Sequence, residues 1–130
     1  KGAQAIAGAI YMARHKKSKA EILTWVDMMG YGTLPPLSGC TTEFDETCQG
    51  TIPLCMALFN ETDSFEDAIR TTIAHGGDCD TTGAIVGSMA EAFYGYPPQD
   101  MIDEAFKRLP KEMQSTVAKF VKKFCYNRFI

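Results

Sequence analysis

Long apolar runs are missing from this sequence. No window approaches the roughly 20 consecutive apolar residues that a membrane span needs, and the start lacks the apolar core of a secretory signal. Excess positive charge is missing too: the formal net charge is -3, so no chain-wide attraction for nucleic-acid phosphates is expected, since that requires clustered Lys and Arg. Paired cysteines are a third absence. Cys40, Cys48, Cys55, Cys79 and Cys125 make an odd set of five with no Cys-x-x-Cys among them, which argues against a disulfide framework and against a zinc knuckle. These absences together predict a cytoplasmic protein with reduced thiols and no membrane or nucleic-acid partner.

Alternation of apolar and polar residues, the mark of a half-buried strand, is also missing, while helical periodicity dominates throughout. The predicted fold class is all-α. With 130 residues, 45% hydrophobic and 22% charged, one compact domain over residues 1–130 is expected, and there is no internal repeat. The chain opens on Lys1, and Gly2 to Arg14 already reads as the middle of a packed element. A fragment, or one product of a cleaved precursor, is the expectation.

The first helix, Gly2 to about His15, is rich in Ala and Gly with Ile6, Ile10 and Tyr11 between them, so one face should admit a neighbouring backbone closely. Ser18 and Glu21 have capping-box spacing, in which each side chain satisfies a free backbone N–H of the other. The helix they open should run to Gly30 with Ile22, Trp25, Val26 and Met29 as its apolar stripe. A long loop follows from Tyr31 to about Glu46, stiffened by Pro35 and Pro36. A third helix begins near Thr47 to Gly50, with Pro53 tolerated in its first turn. Asp63 or Ser64 caps the fourth, whose inner side should carry Phe65, Ala68, Ile69, Thr72 and Ile73, and Gly76 and Gly77 allow a left-handed exit. The fifth, about Asp80 to Tyr94, lines up Gly83 and Gly87 beside Ala84 and Ser88, a spacing of small residues that implies close helix contact. Gln99 or Asp100 to Leu109 forms a sixth. In the last helix Met113, Val117, Phe120, Val121 and Phe124 repeat as core-packing residues, and Tyr126 and Phe129 read the same way.

Chemistry concentrates in Gly76-Gly77-Asp78-Cys79-Asp80-Thr81-Thr82-Gly83, a glycine-opened turn that brings carboxylates and a hydroxyl to a helix start. Oxygen donors of this kind suit a hard cation such as magnesium, with the Cys79 thiol pointing elsewhere. Asp and Thr at a helix start also cap it and complement its positive end. Spacing alone leaves both readings open.

The run GGDCDTTGAIVGSMAEAFYG resembles the carboxy-terminal signature of the ADP-ribosylglycohydrolases, a Gly-Gly-Asp-x-Asp-Thr turn followed by a small-residue helix ending in an aromatic-Gly pair. Upstream, TCQGTIPLCMALFNETDSFEDAIRTTIAHGGD resembles the preceding helix pair, and KGAQAIAGAIYMARHKKSKAEI an earlier Ala-rich helix, so the resemblance covers most of residues 1 to 94. It implies an all-α enzyme that holds two magnesium ions beside the ribose of an ADP-ribosyl group and hydrolyses the glycosidic bond. By this resemblance Asp78, Asp80 and Thr81 are metal ligands, with Asp80 bridging the ions, and Cys48, Gln49, Gly50 and Gly77 line the substrate pocket. The family's Thr-Asp-Asp-like cluster and its catalytic Glu lie in an amino-terminal half with no counterpart here. Asp63 and Asp67 are too separated to supply that cluster, and Glu43, Asp45 and Glu46 read as a solvated loop edge.

The partner expected is therefore the missing amino-terminal half or another copy of the chain, beside the ADP-ribosyl substrate. Starting a helix is the competing role for Cys48, Gln49 and Gly50. His75 reads as a helix-end residue facing the negative dipole end, and Cys79 lacks an activating base. The alternative function is a truncated, non-catalytic module that binds ADP-ribose or oligomerises; a purely structural helical domain is the third.

Overall fold

A computed structural model describes residues 1–43 and 45–125. Among these, seven α-helices form and no strand, as the periodicity predicts: α1 (Gly2–Arg14), α2 (Lys19–Val26), α3 (Cys48–Asn60), α4 (Phe65–His75), α5 (Cys79–Tyr94), α6 (Gln99–Arg108) and α7 (Lys111–Phe124). The chain divides into a unit over Lys1–Tyr96 and a second over Pro97–Ile130. No helix is long and apolar enough to cross a membrane among the described residues.

In the first unit the small-residue face of α1 does what its composition suggests. Ala5, Ala9 and Ala13 are buried at four-residue intervals, and α1 packs on α2 and α5. A Cβ at Gly8 would stand 2.3 Å from Trp25 Nε1, so the indole of α2 lies directly on the α1 backbone. Tyr11 is 64% exposed: four-residue spacing gives the inner face to the alanines and turns Tyr11 away.

Helix α2 opens on the expected capping box, with Ser18 Oγ accepting from the Glu21 N–H and the Glu21 carboxylate accepting from the Ser18 N–H at 2.9 Å. Its end differs from expectation. The α-helical winding stops at Val26 and continues as a wider π-helical turn over Asp27–Tyr31, inside which Gly30 takes φ 93. Ile22 and Val26 are buried, and Met28 is exposed.

Helix α3 supplies the largest share of the core, burying Ile52, Cys55, Met56, Leu58 and Phe59. Burial pushes the Cys55 thiol up to about 12, because a thiolate has no solvation there. Lys19 ties the far end of the unit together. Its ammonium donates to the carbonyls of Asn60 at 2.9 Å and Thr62 at 2.5 Å, and lies 5.3 Å from the ring of Phe59 and 5.4 Å from that of Tyr94. A cation thereby meets both unpaired carbonyls past a helix C-terminus and the negative faces of aromatic rings. The Tyr94 hydroxyl donates to the same Thr62 carbonyl.

Helix α4 is capped by Ser64, whose hydroxyl accepts from the Asp67 N–H at 3.1 Å. Ala68 and Thr72 are buried, but Ile73 is 60% exposed, so the inner stripe ends at Thr72, one residue earlier than its spacing suggests. On α5 the small-residue line is tight at only one of its two glycines: a Cβ at Gly87 would lie 3.2 Å from Ile69 Cδ1, whereas at Gly83 it would meet open space. The buried face of α5 is carried by Thr82, Val86, Met89 and Ala90.

The second unit departs most from expectation. Neither α6 nor α7 has a buried residue, and Met113, Phe120 and Phe124 are all exposed. Pro110 stands just before α7, as its cap. The three-and-four repeat encodes an apolar stripe, but a stripe does not specify what covers it. Tyr126 and Phe129 lie outside the described residues.

Candidate functional site

The site is built where α4 hands over to α5. Gly76 and Gly77 take φ 87 and 74, the left-handed region open to glycine, and turn the chain so that Asp78 becomes the N-cap of α5. Asp78 does not cap with its carboxylate, since no side-chain cap bond forms at this end; its backbone carbonyl accepts from the Thr82 hydroxyl at 2.8 Å. Its side chain turns to Asp80 instead. The Asp80 carboxyl is held below the usual carboxylate range, first by a hydrogen bond from the Asp78 side chain, then by the backbone N–H groups of Thr81 and Asp80; the Thr81 N–H lies 3.1 Å from Asp80 Oδ1. An ionised carboxylate of this kind is an oxygen donor that suits a hard divalent cation.

Cys79 points away, its thiol directed at the Thr72 and Ile73 carbonyls of α4 at 3.9 and 3.8 Å, as expected of a residue between two converging carboxylates. Thr81 is exposed on the first turn of α5.

Two cavities flank this turn. A cleft of about 190 Å³ is lined by Gly76, Gly77 and Asp78 before α5, by Gly50 and Thr51 of α3, and by residues 40–43 and Asp45. A wider trough of about 490 Å³ runs between α1 and α5, lined by Ala3, Ile6, Ile10 and Ile85, with Cys48 and Thr81 at one end. Of the residues singled out in the sequence, Gly50, Gly77 and Asp78 thus border the cleft, and Cys48 and Thr81 border the trough. Gln49 is exposed on the first turn of α3.

The start of α3 also performs the role of helix opening. Thr47 Oγ1 accepts from the Gly50 N–H at 3.2 Å, and Thr47 is held in turn by Asp45, whose carboxylate accepts from the Thr47 hydroxyl at 2.6 Å and N–H at 2.8 Å. Those two bonds keep the Asp45 carboxyl below its ordinary value. Glu43 and Asp45, read as a solvated loop edge, are exposed yet also line the cleft. Thr82 lines it as well, and no periodicity pointed to it. The signal for Asp45 was present as an Asp two residues before a Thr at a helix start, a local turn that Asp side chains favour.

As a donor set, Asp78 and Asp80 fit a hard divalent cation in type and proximity. They are few: among the described residues no group of three or more His, Cys, Asp or Glu side chains gathers to hold a metal ion.

Comparison with known proteins gives the same answer as the signature run. The family described as ADP-ribosylglycohydrolase matches residues 2–125. No curated protein and no solved structure matches the chain. The match spans both units and nearly the whole sequence, and the chain belongs to the ADP-ribosylglycohydrolase family.

Proposed function

We propose that this chain contributes the carboxy-terminal metal corner and part of the sugar pocket of an enzyme that hydrolyses the glycosidic bond of ADP-ribosylated protein or a related ADP-ribosyl compound, with magnesium. The observation that carries the reading is the placement of Asp78 and Asp80 on the glycine-opened first turn of α5, with Asp78 beside a cleft bordered by Gly50 and Gly77. A cleft of about 190 Å³ is below the range of roughly 300–1,000 Å³ that encloses a whole ligand of ADP-ribose size, so it suits one part of the substrate, a ribose next to Asp78.

Asp78, Asp80 and Thr81 would hold the ions, and bound magnesium would supply orientation of ribose hydroxyls and water and stabilise charge at the breaking bond. The chain's own residues shape the cleft: at Gly50 and Gly77 the absence of a side chain lets the Asp45 carboxylate and the Thr42 carbonyl close in, and the Thr82 hydroxyl, bonded to the Asp78 carbonyl, steadies the corner. The remaining donors and the catalytic acid or base belong, in this reading, to the absent amino-terminal half or a second copy of the chain. The trough ending at Thr81 is where such a segment would reach the metal corner.

Titration with magnesium by calorimetry tests the corner. The wild type should give a weak, saturable heat, on the order of millimolar in affinity because water must complete the shell, and Asp80→Ala should abolish it. Equal heats from both proteins would remove the metal claim. The small donor set favours one second reading, a non-catalytic module that binds ADP-ribose without turnover; release of free ADP-ribose from an ADP-ribosylated protein when the amino-terminal half is supplied would exclude it.

A further inference from the structure

The geometry points to His75 as a positioning residue that fixes residues 40–43 as one wall of the cleft and so sets the fit of an ADP-ribosyl group beside Asp78. The inference rests on the proposed reading of the cleft. Residues 40–43 and 45 have no helical or strand structure, so the loop's place is decided by its side ties. One tie is to α3: the Asp45 carboxylate holds Thr47, and the Thr51 hydroxyl donates to the Asp45 carbonyl at 2.9 Å.

The other tie is to the turn that carries the metal corner. His75 Nε2 lies 3.2 Å from the Thr41 carbonyl. A carbonyl only accepts, so the imidazole must carry its hydrogen on Nε2. Next along both strands of chain, the Thr42 carbonyl sits over Gly77, where a Cβ would be 3.2 Å from it. Two successive loop carbonyls are thus laid on His75 and Gly77, the residues leading into Asp78. Removing the imidazole leaves Thr41 without that donor and frees the wall at its end nearest the metal corner, while Asp45 still anchors the other end.

Three thiols make the test readable. Cys40 lines the cleft, and burial raises its pKa; Cys48 is exposed; Cys55 is buried and reacts only on unfolding. Alkylation resolved by mass spectrometry, together with ADP-ribose binding by calorimetry in magnesium, is measured on wild type, His75→Ala and His75→Gln. In His75→Ala, Cys40 alkylation should rise and ADP-ribose affinity fall, each about fivefold for the loss of one hydrogen bond. Cys48 and Cys55 rates should not change. His75→Gln, whose amide restores an N–H donor, should bring both quantities back to within about twofold, since one comparable hydrogen bond is regained.

Unchanged Cys40 rate and unchanged affinity in His75→Ala, with wild type binding ADP-ribose, would overturn this inference alone. Faster Cys55 alkylation alongside Cys40 would also overturn it, by showing a general loosening. No ADP-ribose binding by wild type would overturn the reading of the cleft, and the inference with it.

Discussion

Glu21 shows how one side chain can be read from four letters of sequence and then weighed. Its carboxylate accepts from the Ser18 N–H and hydroxyl and from the Lys17 ammonium at 2.9 Å, and these partners lower its pKa from 4.5 to about 2, the Ser18 backbone bond foremost. A depressed carboxylate contributes stability that is present above its unfolded value and is lost as pH falls through the folded one. Glu21→Gln keeps the shape of the cap and removes its charge. The melting temperature of the variant should therefore lie below wild type near neutral pH, and the gap should close as pH is lowered from 4.5 towards 2. A gap that stays constant over that window would contradict the assignment. The pairing was legible because the capping box is local; Asp45, which holds Thr47 in a similarly local way, was passed over because its context looked like a charged loop. His75 Nε2 meeting Thr41 across 34 positions was not legible at all, since nothing in spacing reports a contact between a loop and a distant turn.

At the level of elements, glycine placement separates what composition predicts from what geometry uses. Gly8 and Gly87 are close-packed, against Trp25 and Ile69, while Gly83 faces open space. The sequence pattern treats all of them alike, because small residues at helical spacing mark a possible contact and only the packed partner makes it real. Gly8→Ala should lower stability by about 1–3 kcal/mol, the usual cost of forcing an extra carbon into a filled space, measured by urea denaturation. The Trp25 ring must move aside, and its buried Nε1 already lacks a hydrogen-bond partner among the described residues. An unchanged midpoint would show that α1 and α2 are not held at this distance. The same limit explains α7: its repeat is a sound prediction of a helix with an apolar side, but Phe120 at 57% and Phe124 at 64% exposure show that the burial of that side was inferred from the pattern alone.

For the whole molecule, the all-α class followed from periodicity, and the family from the Gly-Gly-Asp-x-Asp-Thr turn with its small-residue helix; residues 2–125 carry the family match. The candidate metal ligands were legible as residue types, but that Asp78 leaves its capping role unfilled required coordinates, because the same letters cap ordinary helices. What brings the corner, the cleft and the trough together is the packing of α5 on α1, α3 and α4, which sets the glycine turn at their common edge. The account stands on that pair of carboxyl groups being a cation site. Anomalous diffraction from crystals soaked in manganese tests it most directly: a peak within bonding distance of both Asp78 and Asp80, absent in Asp80→Ala, is the predicted result. No peak beside either carboxyl group would contradict it.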